Sequence, residues 1–595
     1  MSLELPDLAR RTCLQNAVQH GGKCEPKGLV GRILGAHPEF RKDARAVGAA
    51  LEAAAAVVNA MSPEQQREAL AAEAPEMLEV QKKEARKGLK ELPNVKGKVV
   101  MRFAPNPNGP LSFGHSRGVS ILAEYQRMYD ADLILRFDDT DPQVKPPLMD
   151  DERGWNGYEM IQADFGWLTG RQPTRIVVAS DRIAIYQEAA RELMRRGGAY
   201  TCSCEAEAWR ALKEKAIACP HRDATVEANL AAFQSMVDGR TPKGGAVLRV
   251  KTDIQHKNVA LRDWTAFRVV ATDAIHPRER KREIPRHHAW PLLDFQSAIE
   301  DHLQGVTHVI RGKDLMDSTR KQTYLYAHMG WTYPETLYWG RVSVHEFGKF
   351  STSMMRRAIQ AVKFTGWDDP RLPTLSALRR RGYDAAALRA FWVGLGLTEK
   401  DIAVSLANLD AEDSKAAEPR AHRYFFVPDP QALHIDGIAG QEARPLLLPS
   451  RPEAGHRTLR AEADIVVARA DVAPRLRLKD LGNINVDTAA STGHYAGHDM
   501  DRSLPIVQWL PKSAAKPFTI LKPEFVEDEG VAECEDGGGS GVDVPAQAEI
   551  EVPPLREVHG LVEPEATKEV GRVVQFERFG FVRIERADRG VWLHG

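Results

Sequence analysis

Val99-Val-Met-Arg-Phe-Ala-Pro-Asn-Pro-Asn-Gly-Pro-Leu-Ser-Phe-Gly-His115 is the stretch on which the reading of this chain turns. Val99-Val100-Met101 is an apolar run of strand character, and Pro105, Pro107, Asn108, Gly109 and Pro110 build a turn after it. Gly114-His115-Ser116 then opens a helical pattern that Val119, Leu122, Ala123 and Tyr125 continue. A strand, a glycine-bearing turn and a helix start form a cradle for an anion, because unpaired backbone N–H groups point at it. Gly114 lets a ligand approach the backbone, and His115 adds a side-chain donor. The cradle differs from the Gly-Lys-Ser/Thr loop of phosphate-loop enzymes.

This segment resembles the first signature, His-Ile-Gly-His, of class I aminoacyl-tRNA synthetases. Its Arg-Phe-Ala-Pro-Asn-Pro lead-in is similar to the glutamyl/glutaminyl branch of that class. Ser112-Phe113-Gly114-His115 keeps the last two letters and carries serine where the family has its first histidine.

A length of 595 residues exceeds what one core supports and predicts roughly three to five domains. Hydrophobic content of 43% with 27% charge is that of a water-soluble globular chain. No apolar run approaches a membrane span, and the N-terminus lacks a basic-then-apolar leader, so a cytoplasmic location without membrane contact is expected. Six cysteines, half of them clustered, fit a reducing compartment with a metal site better than a disulfide framework. A net charge of −1 gives no overall sign of nucleic-acid binding. Two local basic clusters, Arg278 to His288 and Arg379-Arg380-Arg381, are candidate RNA surfaces or plain solvated faces.

Residues 1–95 are rich in Ala, Glu and Arg and read as a helical N-terminal domain, with Ser62-Pro63-Glu64 as a helix start. Strands at Lys98–Phe103, Leu133–Phe137, Arg175–Ala179 and Val306–Arg311 alternate with helical spacing. They predict a doubly wound Rossmann-type α/β domain in two halves, 96–175 and 289–345, around an insertion over 176–288. Helical patterns at Met354–Val362, Leu375–Arg381 and Ala385–Leu397 mark a connecting domain over 346–424. Over 425–595, short strands between Pro and Gly predict one or two β-barrels, with Ala463–Ala468, Pro505–Leu510, Phe518–Leu521 and a hairpin at Val573–Ile584. Glu527–Gly541 is acidic and glycine-rich, the best candidate for local disorder.

Arg136-Phe-Asp-Asp-Thr-Asp-Pro142 lies at the C-terminal end of a strand, where such sheets hold ligands. Its carboxylates suit an ammonium, a hydroxyl or Mg²⁺. The run resembles the family's Arg-Phe-Asp-Asp-Thr segment, which implies that Asp138 takes the substrate's α-amino group. Cys202-Ser-Cys204, fourteen residues, then Cys219-Pro-His221 is a four-ligand set of the kind that closes a tetrahedral, structural Zn²⁺. Glutamyl-tRNA synthetases carry a similar zinc module in their acceptor-stem-binding insertion.

Val306 to Asp314 resembles the second half of the family's nucleotide fold. The position of Arg311 separates glutamyl members, with arginine, from glutaminyl members, commonly with cysteine. A γ-carboxylate suits a bidentate guanidinium, whereas a neutral amide leaves that cation unpaired. Arg102 would be the second cation. Leu293 stands where glutaminyl enzymes place a substrate-contacting tyrosine, so recognition rests on the arginines. Lys349-Phe350-Ser351-Thr352-Ser353-Met354 occupies the place of the second signature, Lys-Met-Ser-Lys-Ser, with Met354 where archaeal-type relatives have lysine. Gly366 to Arg371 and Leu378 to Gly382 are also similar to the branch.

In family order, these blocks resemble the archaeal-type glutamyl-tRNA synthetases. The resemblance implies ligation of L-glutamate to tRNA-Glu through a glutamyl-adenylate, with ATP as substrate and Mg²⁺ on its phosphates. His115, Gly114 and Ser112, with Lys349, Ser351, Thr352 and Ser353, would serve the adenylation step. Charging of tRNA-Gln as well stays open. A glutaminyl enzyme, a tRNA-binding pseudoenzyme suggested by Ser112, Leu293 and Met354, and a glutamyl transferase acting on a tRNA base are the alternatives.

Overall fold

The computed structural model describes residues 4–19, 22–77, 88–149, 153–347, 351–525 and 552–595. The chain forms two compact units, Met1–Lys87 and Gly88–Gly595. The first is helical among its described residues. Helices Leu5–Gln19, Ala44–Val58 and Pro63–Glu73 enclose Cys13, Leu14, Leu51, Val58 and Leu70. Val47, Leu51, Ala55 and Val58 recur at helical spacing and give the middle helix a single buried stripe. Ser62 and Gln65 form a reciprocal capping box, with Pro63 as the first helical residue.

The second unit is organised by parallel strands β1 (Val100–Phe103), β2 (Asp132–Phe137) and β3 (Arg175–Val178). An antiparallel sheet follows, of β4 (Ala199–Cys202), β5 (Val247–Val250), β6 (Thr265–Val269) and β7 (Ala289–Pro291). The parallel pair β8 (His308–Gly312) and β9 (Glu335–Trp339) comes next. Thr307 joins β8 to β1: its N–H donates to the Val100 carbonyl at 2.9 Å, and its Oγ1 accepts from the Val100 N–H at 3.0 Å. The order is therefore 3-2-1-8-9, and the point where it reverses lies between β1 and β8. Ligands of doubly wound sheets sit at the carboxyl ends of the strands there. Leu133, Ile134 and Leu135 of β2 are fully buried, as expected of a central strand covered on both faces.

The turn after β1 is fixed from three sides. Ser112 caps the helix Phe113–Tyr129. The Phe113 N–H donates to the Pro373 carbonyl, and the Leu375 N–H donates to the Leu111 carbonyl, both at 2.8 Å. The Leu111 N–H donates to Asp164 Oδ2 at 3.1 Å. Phe113 packs on Trp392 with ring centroids 4.9 Å apart, and the Trp392 indole donates to Ser116 Oγ at 2.7 Å. Losing the Phe113 ring would cost about 3–5 kcal/mol. At Gly118 a Cβ would lie 2.9 Å from the Trp339 ring, so only glycine lets this helix close on β9.

The C-terminal strands form two seven-stranded sheets. In one, the two edge strands are Ile506–Val507 and Trp509–Pro511; in the other they are Arg423–Tyr424 and Phe426–Pro428. Each pair of edges is separated in the chain by one residue, Gln508 or Phe425, so each sheet curls until its edges nearly meet. Closure leaves little exposed edge. Pro505–Leu510, read as one strand, is thus two strands broken at a barrel corner. The hairpin at 573–584 is present, with Val573–Phe576 antiparallel to Gly580–Arg586. The helices expected at 354–362 and 385–397 run Thr352–Gln360 and Ala385–Leu395, while Leu375–Arg381 has the expected bounds. Glu527–Gly541 lies outside the described residues.

The two basic clusters are largely consumed by the fold. Arg278 pairs with Asp181 at 2.8 Å and Glu283 at 2.9 Å, and Arg286 with Glu279 at 2.7 Å. Arg380 pairs with Glu585 at 2.6 Å, and buried Arg381 donates to the Leu593 carbonyl at 2.7 Å. The second cluster fastens the helix Leu375–Arg381 to the last barrel rather than facing solvent. Among the described residues no helix is long and apolar enough to cross a membrane.

Candidate active site and metal centre

A cavity of 1040 Å³ opens at the carboxyl ends of β1, β2 and β8. Arg102, Gly114, His115, Asp138, Leu293 and Arg311, which sequence reasoning nominated from separate segments, all line it. Arg102 lies on β1 and Arg311 on β8, one on each side of the reversal point, and Asp138 follows directly on β2.

Arg102 and Asp138 line the cavity floor, and Arg136 and Asp301 sit buried behind them. Asp301 Oδ1 accepts from Arg102 Nε at 3.2 Å and from Arg136 Nη1 at 2.7 Å. Asp138 Oδ1 accepts from Arg136 Nε at 2.7 Å and from Gln296 Nε2 at 2.9 Å, while Oδ2 has only a long contact to Arg136 Nη2 at 3.4 Å. All four side chains are buried. Burial pushes the Asp301 carboxyl up, but Arg102 and Arg136 outweigh it and hold the group below its ordinary range. At Asp138 burial prevails over Arg136, and the carboxyl is raised. Raised in this way, Asp138 gains from a second cation arriving at Oδ2.

Arg311 differs from the other cations. It is 5% exposed, and its Nη2 reaches Thr319 Oγ1, Gln322 Oε1 and Tyr333 Oη at 2.5, 3.1 and 2.9 Å. All three partners are neutral, and among the described residues Nε has no hydrogen-bond partner. Arg102 with Arg136 and Asp138 with Asp301 cancel in charge, so Arg311 leaves the floor with one positive charge in excess. Leu293 is 39% exposed and supplies an apolar wall with no polar contact to offer.

Ser112 and His115 sit at the start of the helix Phe113–Tyr129. Ser112 Oγ accepts from the His115 N–H at 3.3 Å, and His115 Nδ1 accepts from the Ser112 N–H at 3.1 Å. With Nδ1 an acceptor, the ring proton resides on Nε2. Serine at this position is therefore a helix cap that also orients the histidine. Ser351, Thr352 and Ser353 do not line the cavity; Ser351 caps the helix Thr352–Gln360, accepting from the Met354 N–H at 3.2 Å. That helix nonetheless touches the first turn: a Cβ on Gly109 would lie 2.8 Å from Thr352 Cγ2 and 3.0 Å from the Trp367 ring. Met354 is buried, and Lys349 lies outside the described residues.

Cys202, Cys204, Cys219 and His221 come together with their ligand atoms within 4.8 Å of one another. Cys219 Sγ lies 3.5 Å from both other sulfurs and 3.3 Å from His221 Nδ1. Such spacings suit the edges of a tetrahedron of sulfur and nitrogen around one ion. His221 Nε2 contacts Ser203 Oγ at 3.0 Å, the kind of outer bond that orients a ligating ring. Burial and the adjacent sulfurs push the Cys219 thiol up to about 12; a divalent cation among them favours the thiolates instead.

Sequence reasoning missed Asp301, Gln296, Thr319, Gln322 and Tyr333, which hold the nominated side chains. Asp301 and Gln296 lie on a helix far from Arg102 and Asp138 in sequence, whereas Thr319, Gln322 and Tyr333 follow Arg311 within 22 residues. The available signal was the run of polar residues Asp294, Gln296, Glu300 and Asp301 within one helical stretch.

The family described as class I tRNA synthetases (E and Q), catalytic domain, matches residues 98–417, and its anti-codon binding domain matches residues 421–498. The chain is 43% identical over 597 residues to a glutamate–tRNA ligase of Methanothrix thermoacetophila, spanning 98% of both. It is 41% identical to one from Methanosarcina mazei, spanning 98% of this chain and 96% of the relative. A glutamate-tRNA synthetase structure from Elizabethkingia anophelis aligns with 54% of this chain and 71% of its own, at 20% identity and a TM-score of 0.39. With both family regions matched in order and such identity along nearly the whole length, the chain belongs to the class I tRNA synthetases of the E and Q branch.

Proposed function

We propose that the protein ligates L-glutamate to tRNA-Glu in two steps, through a glutamyl-adenylate formed from ATP. The observation that carries this reading is the charge of the cavity floor. Glutamate carries one net negative charge at neutral pH, and the floor carries one positive charge, on Arg311, whose partners are neutral. The glutamate–tRNA ligase names of the relatives support the same substrates.

In this reading the γ-carboxylate lies between Arg311 and the outer edge of Arg102, and the α-ammonium binds Asp138 Oδ2. The α-carboxylate is then presented to the α-phosphorus of ATP and attacks in line, releasing pyrophosphate. No protein base is needed, because the nucleophile is already an anion; positioning and charge neutralisation do the work. His115 Nε2 and the helix start at Gly114 hold phosphate. Ser351 to Ser353, with Lys349 of the same signature, would close over the leaving group, and Mg²⁺ on the ATP phosphates would supply charge screening. A terminal ribose hydroxyl of the tRNA then takes the acyl group from the adenylate. Zn²⁺ is the ion that best suits three cysteines and one histidine, and four ligands make it structural.

The domain reading follows the same lines. Residues 96–175 and 289–345 form the two nucleotide-fold halves, and 176–288 the metal-bearing insertion that meets the acceptor end. Residues 346–424 connect, 425–595 read the anticodon, and 1–95 form an appended helical domain.

The test is pyrophosphate exchange and aminoacylation with purified tRNA-Glu and tRNA-Gln, each with glutamate and with glutamine. Glutamate-dependent exchange and charging of tRNA-Glu are expected. Preference for glutamine would make it a glutaminyl enzyme, and absence of exchange with either amino acid would make it a tRNA-binding pseudoenzyme.

A further inference from the structure

Of the paired aspartates that follow β2, Asp138 lines the cavity and Asp139 does not. Asp139 is fully buried, and its carboxylate is taken up by the fold. Tyr158 Oη and Ser180 Oγ each donate to its Oδ2 at 2.6 Å, and the Ser180 N–H donates to its Oδ1 at 2.8 Å. The main chain beside it is held as closely. The Asp138 N–H donates to the Pro105 carbonyl at 3.0 Å, and the Asp138 carbonyl accepts from Asn106 Nδ2 at 3.1 Å. The next carbonyl, that of Asp139, accepts from His276 Nε2 at 2.9 Å, across 137 residues of chain.

His276 lies in the connection between β6 and β7 and is fully buried. Its ring stacks on Trp290, with centroids 5.2 Å apart and planes 20° from parallel. Nδ1 accepts from the Arg278 N–H at 3.2 Å, so the ring proton is on Nε2, opposite a carbonyl that can only accept it. Burial outweighs the pull of Asp139 and keeps the imidazole below its ordinary range, which favours this neutral form. Capping the short turn at Pro277 uses Nδ1 alone, and Ser, Thr, Asp or Asn would do that equally well. What histidine adds is a second donor, fixed by the stacked ring and aimed at the backbone that follows Asp138.

We propose that His276 is a positioning residue for amino-acid binding: by holding the Asp139 carbonyl it fixes the strand end from which Asp138 presents Oδ2 to the substrate's α-ammonium. The inference rests on the glutamate-ligation reading, in which Asp138 makes that contact. The Asp138 carboxylate has two anchors, the donors Arg136 and Gln296 on Oδ1 and the backbone on either side. Releasing the backbone lets the carboxylate pivot about the first anchor, which displaces Oδ2. A shift of about 1 Å in a positioning group costs on the order of 10²-fold.

Two substitutions separate the two bonds of the ring. His276→Asn keeps a capping oxygen near the place of Nδ1 and loses the donor to Asp139. His276→Gln carries an amide N–H out to the place of Nε2 and gives up the cap. Both are measured in the full-length protein by pyrophosphate exchange with tRNA present, with Tm beside it. For His276→Asn the KM for glutamate is expected to rise about 10- to 30-fold, with kcat within about three-fold and the KM for ATP within about two-fold of the parent. His276→Gln should keep the KM for glutamate within about three-fold despite a lower Tm. Glutarate, which has both carboxylates of glutamate but no ammonium, should inhibit the parent and His276→Asn equally.

A KM for glutamate that follows Tm across the two variants would overturn the proposal, as would an equal weakening of glutarate or an unchanged KM in His276→Asn. Should His276→Asn fail to fold, Trp290→Phe keeps a ring under His276 but loosens the stack. A KM for glutamate several-fold above the parent is then expected, and an unchanged one would overturn the proposal equally. The α-ammonium is common to glutamate and glutamine. A parent that activates glutamine instead would therefore defeat the ligation reading alone, and the same KM comparison with glutamine would decide the role of His276; a parent without exchange would defeat both.

Discussion

Ser112 and His115 cap one another, the serine hydroxyl accepting from the histidine N–H at 3.3 Å and the imidazole Nδ1 accepting from the serine N–H at 3.1 Å. The bond to Nδ1 sends the ring proton to Nε2. Replacing Ser112 by Ala should cost about 1 kcal/mol of unfolding free energy, the usual value of a lost N-cap, and slow pyrophosphate exchange several-fold. Ser112→Asp keeps a capping oxygen but places a carboxylate beside the phosphate cradle. It should preserve stability while raising the KM for ATP. Equal KM values in the two variants would refute an orienting role.

Arg311→Gln removes the excess positive charge while leaving Thr319, Gln322 and Tyr333 in place. We expect kcat/KM for glutamate to drop by about 10²–10³, the range for a lost buried charge-assisted pair. Activation of glutamine should be unchanged or improved. Steady-state exchange with both amino acids measures the ratio, and a parallel loss for the two would count against side-chain selection at this position.

These two predictions differ in how much of their basis was legible in the sequence. The strand, turn and helix around His115 are local, so spacing placed Gly114 and His115, the family resemblance named Arg102, and the ligand set Cys202 to His221 was readable from its own spacing. The neutrality of the partners of Arg311 was not, since Gln322 on the following helix and Tyr333 in the loop after it meet Arg311 only once the chain has folded back on β8. Arg380 and Arg381 read as a solvated or RNA-binding run because nothing in their segment announces Glu585 or the Leu593 carbonyl more than 200 residues later. The break at Gln508 was hidden for a related reason: a barrel corner is a property of the closed sheet, and the apolar run across it is continuous.

The resemblance to archaeal-type relatives implies that Met354 stands in place of a lysine that would face departing pyrophosphate. Met354→Lys should accelerate adenylate formation about ten-fold in a single-turnover assay, the lower end of what a cation near developing charge contributes. Because Met354 is buried in the first turn of its helix, burial and the helix dipole should lower stability by about 1 kcal/mol. An unchanged or slower rate would mean that the methionine is no deficit.

Asp164 accepts from the Leu111 N–H and from Ser376 Oγ, and burial pushes its carboxyl up to about 7. Between pH 4 and 7 the folded protein retains this proton and the unfolded chain does not. The contribution of Asp164 to stability is therefore greatest below pH 4 and declines as pH rises to about 7. Asp164→Asn keeps both hydrogen bonds without a titrating group. Its Tm should match the parent at pH 4–5 and exceed it at pH 8; a constant difference across that range would exclude titration at Asp164.

Removing the metal from the Cys202–His221 centre with a chelator, or replacing Cys204 by Ser, should unseat Trp209, which shares an apolar cluster with Cys202 and Cys219, and with it Arg249, whose guanidinium lies 4.2 Å from the centre of the Trp209 ring. Amino-acid transfer should then be lost well before pyrophosphate exchange, whose proposed residues His115, Asp138 and Arg311 lie outside the insertion. Loss of both together would give the metal a wider structural role.

The helix Leu375–Arg381 has its first turn locked to Leu111, Ser112 and Asp164 and its last turn locked to Glu585 and Leu593. At seven residues it is about 10 Å long, too short to bend appreciably, and so behaves as a rigid lever. Phe581 and Leu593 of the last barrel belong to the same apolar core as Phe113 and Trp392, so we expect any shift of the barrel to be carried through this helix to the turn that bears His115.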